Sequence, residues 1–168
     1  ELGTERVPGI PSGFVDLDAR TNGFQKSEVI VVAARSGTGK TAWVCNLILN
    51  AAGLGSRVLF ISLEQSRKEI VARFAAMHAR VSSDKIRKGT LDQQEVWEIK
   101  RSASEVSQYP IEIIDTAGQT VGEIAAAARL AKLRRGLDLI VIDYLQFVKP
   151  ADARMPREQQ VAAISREI

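Results

Sequence analysis

The sequence contains very little cysteine and no long apolar run. Its single cysteine, Cys45, cannot form an internal disulfide and by itself favours no metal site. The position of Cys45 within a predicted helix favours a packed side chain. No stretch approaches the roughly 18 consecutive apolar residues that a membrane-spanning helix needs. Internal repeats and low-complexity segments are also absent from the sequence. We therefore expect a globular, cytoplasmic protein.

A strong charge of either sign is absent as well. The chain carries 23 lysines and arginines against 20 aspartates and glutamates, which gives a net charge of +3. Such a weakly basic balance permits nucleic-acid binding but does not require it. With 168 residues, of which 45% are hydrophobic, the chain is long enough for one domain with a sizeable core.

One glycine-rich segment has a clear chemical meaning. An apolar run at residues 29–34 leads to Ser36-Gly37-Thr38-Gly39-Lys40-Thr41, which predicts a strand, a turn and a helix start. In such a loop, backbone N–H groups converge on phosphate oxygens and the helix N-terminus adds positive potential. Lys40 can then reach the β- and γ-phosphates of a nucleotide, and the Thr41 hydroxyl can ligate Mg²⁺. The general motif begins with glycine where this chain has Ala34, so the loop is either weakened or typical of a narrower family.

Strand-like and helix-like segments alternate along the whole chain. Continuous apolar runs predict strands at residues 28–34, 57–63, 111–115 and 137–143. Helices are predicted over residues 14–20, over residues 39–52, after Pro156, and after the capping-box pairs Ser66/Glu69, Thr90/Gln93 and Thr120/Glu123. Strands separated by helices require parallel pairing through crossovers. The predicted fold class is therefore α/β, with a parallel sheet flanked by helices and a ligand site at the carboxyl ends of the strands.

Three carboxylates lie at or just beyond the carboxyl ends of these predicted strands. Asp143 ends the fourth strand, where an acidic residue can orient Mg²⁺ together with Thr41. Glu64 follows the second strand and has two interpretations: a general base that polarises the attacking water, or an acid that favours the dipole of the next helix. Asp115 has the same two interpretations, and there we favour the structural one.

Several segments in order resemble a known family. They are Pro11-Ser12-Gly13 with Asp16-Leu17-Asp18, the phosphate loop with its preceding Ala33-Ala34-Arg35, Ser62-Leu63-Glu64, and Ile142-Asp143-Tyr144-Leu145-Gln146. Together they resemble the RecA-like ATPase domain of bacterial and phage replicative DNA helicases, the DnaB family. The resemblance covers nearly the whole chain, from about residue 8 to residue 168. In that family Ala-Ala-Arg commonly precedes the phosphate loop, so Ala34 supports the resemblance.

The resemblance implies a RecA-like P-loop core that hydrolyses ATP with Mg²⁺ as the helicase motor. Residues 1–27 are rich in glycine and polar residues, and we expect them to form a linker or entry segment within this domain. The resemblance further implies that Lys40 acts on the phosphates, that Thr41 and Asp143 hold magnesium, and that Glu64 activates water. Gln146 is a candidate nucleotide sensor, and the alternative is a packing or capping role after the strand.

The resemblance also implies partners. In ring helicases the region after the fourth strand faces the central channel, so Lys149, Arg154 and Arg157 are candidate contacts to single-stranded DNA. A solvated loop is an equal alternative, because the segment has no aromatic residue for base stacking. The expected partners are single-stranded DNA and further copies of the chain in a homo-hexamer. A primase and a helicase loader are further candidates, in a bacterial nucleoid or a phage-infected cell.

Family members continue into a sensor strand and an arginine finger. Because the sensor strand normally lies between the first and fourth strands, we expect a sheet that is incomplete at the C-terminus and a first strand with an unpaired edge. Two other functions remain open for the chain. One is a RecA-family repair or clock-type ATPase, and the other is a non-catalytic nucleotide-binding assembly module.

Overall fold

The computed structural model describes residues 7–35 and 37–149. These residues divide into two compact units. The first contains the residues up to Ser56 together with Lys68–Pro110, and the second contains Arg57–Arg67 together with the residues from Ile111 onward. Within the described ranges, no helix has the length and the hydropathy that crossing a membrane requires.

Helices form the first unit. In chain order the helices of the described residues are α1 (Val15–Thr21), α2 (Lys40–Gly53), α3 (Arg67–His78), α4 (Ser83–Lys88), α5 (Gln93–Val106) and α6 (Val121–Arg135), of which α6 belongs to the second unit. The helix predicted over residues 39–52 is confirmed as α2, and Cys45 in it is completely buried. The predicted packing role of Cys45 is therefore confirmed.

The start of α5 differs from the prediction. The pair Thr90/Gln93 does not cap this helix. Instead the Asp92 carboxylate accepts a hydrogen bond from the Glu95 N–H at 2.8 Å, and the Glu95 carboxylate accepts one from the Asp92 N–H at 3.1 Å. Thr90 belongs to the end of the unpredicted helix α4, where its N–H donates to the Lys85 carbonyl at 3.0 Å. Aspartate caps a helix as well as threonine does, so the pattern alone could not choose between the two starts.

The second unit is a parallel sheet with a helix. Its strands are β1 (Val58–Ser62), β2 (Ile111–Ile114) and β3 (Leu139–Asp143), in the order β2-β1-β3. Both neighbours of β1 are parallel to it. Every residue of β1 is buried, as its continuous apolar run predicts for a central strand. The parallel α/β class expected from the sequence is confirmed.

Helix α6 begins at the capping box that the sequence predicts. The Glu123 carboxylate accepts hydrogen bonds from the Thr120 N–H at 2.8 Å and from the Thr120 hydroxyl at 2.9 Å. These bonds hold the pKa of the Glu123 carboxyl below its ordinary value. From this start, α6 places Ile124 and Ala131 against the side of the sheet formed by Leu59 and Ile61. A local sequence signal therefore determines how the helix enters the core.

The strand predicted at residues 28–34 is wrong. Residues 28–35 form no strand, and the exposed fractions of Val29, Ile30, Val31 and Val32 are 61%, 47%, 71% and 40%. None of the described strands hydrogen-bonds to this run. An apolar run can form a strand only where another strand supplies partners for its N–H and C=O groups. The apolar pattern indicates that the run is suited to burial, but it does not show whether a neighbouring strand is present to pair with it.

Candidate active site

The glycine loop turns directly into α2. Gly37 and Gly39 have φ angles of 78° and 93°, in the left-handed region that favours glycine. Gly39 immediately precedes α2, whose first two residues are Lys40 and Thr41. A Cβ atom added at either glycine would meet no atom within 4 Å. The backbone conformation, and not crowding, is therefore the reason for glycine at these positions.

Hydrogen bonds within the loop close it, and the start of α2 carries no acidic residue. The Thr38 hydroxyl and the Thr38 N–H donate to the Arg35 carbonyl at 2.7 Å and 3.3 Å. The first turn of α2 contains no aspartate or glutamate, so the positive end of the helix dipole is not neutralised from within that turn. N–H groups in the first turn of a helix have no partner within the helix. This combination suits an anionic ligand such as a phosphate group.

A buried aspartate holds the entry turn before α1. The Asp18 carboxylate accepts hydrogen bonds from the Ser12 N–H at 2.8 Å, the Ser12 hydroxyl at 2.7 Å and the Gly13 N–H at 3.0 Å. Asp18 is 8% exposed and Ser12 is fully buried. Asp18 therefore gives three polar groups of the turn a charged partner, which makes the turn rigid.

The entry turn is attached to α2 at two points. The Asn50 side-chain amide donates to the Ser12 carbonyl at 3.0 Å. Near the other end of α2, the Phe14 ring stacks on Trp43, with ring centroids 5.4 Å apart and an angle of 9° between the rings. Trp43 lies in the first turn of α2, close to Lys40 and Thr41. These contacts fix the helix that carries the candidate phosphate-binding side chains, and sequence reasoning missed them.

The second unit brings two of the candidate acidic residues to one edge of its sheet. Asp143 is the last residue of β3 and is 3% exposed, and its partner in the register with β1 is Ser62. The Leu63 N–H donates to the Asp143 carbonyl at 2.9 Å, and the exposed Glu64 follows at once. The predicted placement of Glu64 and Asp143 at the carboxyl ends of strands is therefore confirmed.

Asp115 also follows a strand, but it has a structural role. Its carboxylate accepts a hydrogen bond at 2.7 Å from the N–H of Arg67, the first residue of α3. The Arg67 guanidinium group in turn donates to the Ile113 carbonyl. A carboxylate that accepts from a first-turn N–H stabilises the start of a helix. The structural interpretation that the sequence favours for Asp115 is confirmed.

A short 3₁₀ turn, Leu145–Phe147, follows β3. The Asp143–Tyr144 peptide bond is cis. The Tyr144 ring packs against Phe147 with the centroids 4.6 Å apart, so Tyr144 has a packing role. Gln146 is exposed on the same turn, and its sensor function stays a prediction.

The candidate DNA contacts are only partly described. Lys149 is exposed, and its N–H donates to the Gln119 carbonyl at 2.8 Å. Arg154 and Arg157 lie outside the described residues, as does Ser36 of the phosphate loop.

The side-chain oxygens of the candidate residues suit a magnesium ion only when a nucleotide supplies further ligands. Within the described ranges, no cluster of three or more His, Cys, Asp or Glu side chains could hold a metal ion. Mg²⁺ is usually bound by one or two protein oxygens together with phosphate oxygens and water. Thr41 offers a hydroxyl and Asp143 a carboxylate, and each is a single ligand of this kind. Either side chain therefore suits an Mg²⁺ ion whose other ligands are phosphate oxygens and water.

Comparison with known sequences finds relatives that belong to one family. A family model described as the DnaB-like helicase C-terminal domain matches residues 9–168. The replicative DNA helicase DnaB of Nostoc sp. is 41% identical over 165 residues, which are 96% of this chain and 18% of that protein. The replicative DNA helicase DnaC of Bacillus subtilis is 36% identical over 164 residues, which are 96% of this chain and 36% of that protein. The chain therefore spans only a minor part of the length of these relatives.

Solved structures agree with the sequence comparison. One of them, described as an ATPase domain, superposes with a TM-score of 0.90 at 31% identity, over 98% of this chain and 60% of that chain. A DnaB-like replicative helicase, whose structure was described with its interactions with primase, has a TM-score of 0.90 at 32% identity, over 97% of this chain and 41% of that chain. The RecA-like fold predicted from the sequence is confirmed. The chain belongs to the DnaB-like helicase C-terminal domain family.

Proposed function

We propose that the chain is the ATP-hydrolysing motor domain of a hexameric replicative DNA helicase, which translocates on single-stranded DNA and unwinds duplex. The observation that supports this most is the glycine turn that places Lys40 and Thr41 at the start of α2. Relatives of the chain are replicative DNA helicases. This kinship favours the helicase over a RecA-family repair or clock-type ATPase and over a non-catalytic module.

The phosphate loop binds the triphosphate of ATP in this proposal. Backbone N–H groups of the loop donate to phosphate oxygens, and the Lys40 ammonium group contacts the β- and γ-phosphates. The Thr41 hydroxyl and the Asp143 carboxylate hold Mg²⁺, directly or through water. When bound, Mg²⁺ neutralises the negative charge on the β- and γ-phosphate oxygens. The Ser12 and Phe14 contacts to α2 keep the helix that carries Lys40 and Thr41 in place.

Glu64 is the general base in this proposal. It accepts the proton of a water molecule whose oxygen attacks the γ-phosphorus, while the bond from that phosphorus to the β–γ bridging oxygen breaks and ADP leaves. The exposed position of Glu64, just past β1 and beside the end of β3, supports this role.

The partners of the motor are also proposals. Lys149, Arg154 and Arg157 contact the phosphates of single-stranded DNA, and Gln146 senses the nucleotide. Copies of the chain assemble as a homo-hexamer. A primase partner is supported by one structural relative, a DnaB-like replicative helicase described with its interactions with primase, and a helicase loader is proposed from the family alone. These contacts give the DNA-dependent step that distinguishes a helicase from other ATPases of this fold.

Fork unwinding by the full-length protein tests the proposed function. We expect ATP-dependent separation of a forked duplex, stimulation of ATP hydrolysis by single-stranded DNA, and loss of both activities in Lys40→Ala. ATP hydrolysis without strand separation would point instead to a repair or clock-type ATPase. Nucleotide binding without any hydrolysis would point to the non-catalytic module.

A further inference from the structure

One buried hydroxyl closes the turn that carries Glu64. Ser62, the last residue of β1, is 2% exposed. Its Oγ donates to the Gln65 carbonyl at 2.7 Å and accepts from the Gln65 N–H at 3.2 Å. Both bonds span the same three residues, so the hydroxyl takes the place of backbone partners that a strand or helix would supply. Residues 62–65 therefore form a closed turn with Glu64 inside it.

The other side of Glu64 is held by the sheet. The Leu63 N–H donates to the Asp143 carbonyl at 2.9 Å, which extends the contact between β1 and β3 by one residue. The Leu63 side chain is 7% exposed and packs in the core cluster. Glu64, which is itself exposed, thus lies between two anchored neighbours, Leu63 and Gln65. The direction in which its Cα–Cβ bond points depends on both anchors.

We infer that Ser62 is a positioning residue for Glu64, an inference that rests on the proposed function. A general base must lie within about 2.6–3.2 Å of the proton carrier that it serves. The Glu64 side chain is exposed, so its backbone supplies much of the constraint on where its carboxylate can reach. Without the Ser62 hydroxyl, the Gln65 N–H and C=O lose their partner and the turn can relax. Ser62 therefore acts on the rate of hydrolysis through Glu64 and does not act on nucleotide binding.

A merely structural role makes a different prediction. If the Ser62 hydroxyl only satisfies the Gln65 backbone, its removal lowers the free energy of unfolding and leaves the turnover of the folded enzyme unchanged. If it positions Glu64, turnover falls while the affinity for nucleotide stays the same. Comparison of kcat with the Kd for ADP separates the two roles, since ADP does not need the attacking water.

Ser62→Ala in the full-length protein is the direct test. We expect kcat for ATP hydrolysis to fall about 10- to 100-fold, because a misplacement of about 1 Å can cost about 100-fold in rate. The Kd for ADP should not change. Wild-type turnover in Ser62→Ala would overturn the inference. Loss of ADP binding together with turnover would also overturn it, because the hydroxyl would then support the fold and not Glu64 in particular.

Ser102→Ala is the matched control. Ser102 is 1% exposed on α5, and its hydroxyl has no hydrogen-bond partner among the described residues. The control removes the same atom from an equally buried site, so we expect its kcat to equal the wild-type value. A fall equal to that of Ser62→Ala would show that loss of any buried hydroxyl slows the enzyme, which would contradict the inference.

The double variant Ser62→Ala/Glu64→Gln tests whether Ser62 acts through Glu64. Coupled residues give non-additive effects in a double-mutant cycle, so we expect its residual single-turnover rate to equal that of Glu64→Gln alone. A further fall by the factor seen in Ser62→Ala would contradict the inference. If the wild-type protein does not hydrolyse ATP, the proposed function fails instead. Normal hydrolysis by both the wild type and Ser62→Ala overturns only the role of Ser62.

Discussion

Replacement of Asp18 should show how strongly the entry turn is held. Asp18→Ala removes the acceptor of three hydrogen bonds, two from Ser12 and one from Gly13. Ser12 is fully buried, so water cannot readily replace the lost acceptor at its N–H and hydroxyl. Hydrogen bonds to charged groups contribute about 1.5–3 kcal/mol each, and such contributions do not add fully. We therefore expect the free energy of unfolding to fall by about 3–5 kcal/mol.

Asp18→Asn makes the test sharper. Oδ1 of Asp18 accepts both bonds from Ser12, and Oδ2 accepts the single bond from the Gly13 N–H. An asparagine can keep its oxygen toward Ser12, but it then places an amide donor against the Gly13 N–H. One bond of the three is lost, so we expect about 1–3 kcal/mol of destabilisation. The specific expectation is that Asp18→Ala lowers the free energy of unfolding more than Asp18→Asn does.

Urea denaturation followed by far-ultraviolet circular dichroism measures these differences. Asp16→Ala is the control, because Asp16 is exposed in the same helix and an exposed substitution usually changes stability by no more than about 0.5 kcal/mol. The reasoning is refuted if Asp18→Ala costs no more than Asp16→Ala, or if the alanine and asparagine variants at residue 18 unfold at the same urea concentration.

Two further tests concern the backbone conformation at Gly39 and the capping carboxylate of Glu123. Gly39→Ala should lower the free energy of unfolding by about 1–2 kcal/mol, because a non-glycine residue is strained at a φ of 93°. Gly122→Ala within α6 should instead raise it by about 0.5–1 kcal/mol. Equal shifts in the thermal midpoint of the two variants would contradict this contrast. Because hydrogen bonds from Thr120 lower the pKa of Glu123, the stability that they give is complete above the ordinary pKa of a glutamate and is lost as the pH falls through the lowered one. Glu123→Gln keeps an acceptor without titrating, so the thermal midpoint should fall less steeply with acid than in the wild type, and identical slopes would count against this role for Glu123.

Features that depend on neighbouring residues could be predicted from the sequence. The capping box of Thr120 with Glu123 begins α6 as expected, because both of its hydrogen bonds form within one turn of chain. Strand ends were also predictable, since Glu64 and Asp143 each follow an apolar run directly. The start of α5 was missed because two capping residues, Thr90 and Asp92, compete within three positions.

Features that depend on distant partners could not be predicted. The exposed run at residues 28–34 has the apolar pattern of a strand, but a strand exists only where another strand pairs with it. The bond from Asn50 to Ser12 joins residues 38 positions apart, and no local pattern reports such a pair. The Pro11-Ser12-Gly13 and Asp18 positions were visible as a motif of the family, yet their hydrogen bonds became clear only in the folded chain.

Glu64→Gln tests the central claim most directly. The variant keeps the size of the side chain and removes its ability to accept a proton, so ATP should still bind while hydrolysis becomes much slower. General-base catalysis contributes about 10²- to 10⁴-fold, and a fall of this size in kcat, with an unchanged Kd for ATP, is the result that the proposed function predicts. Hydrolysis at the wild-type rate by full-length Glu64→Gln would contradict the assignment of Glu64 as the general base of an ATP-hydrolysing motor.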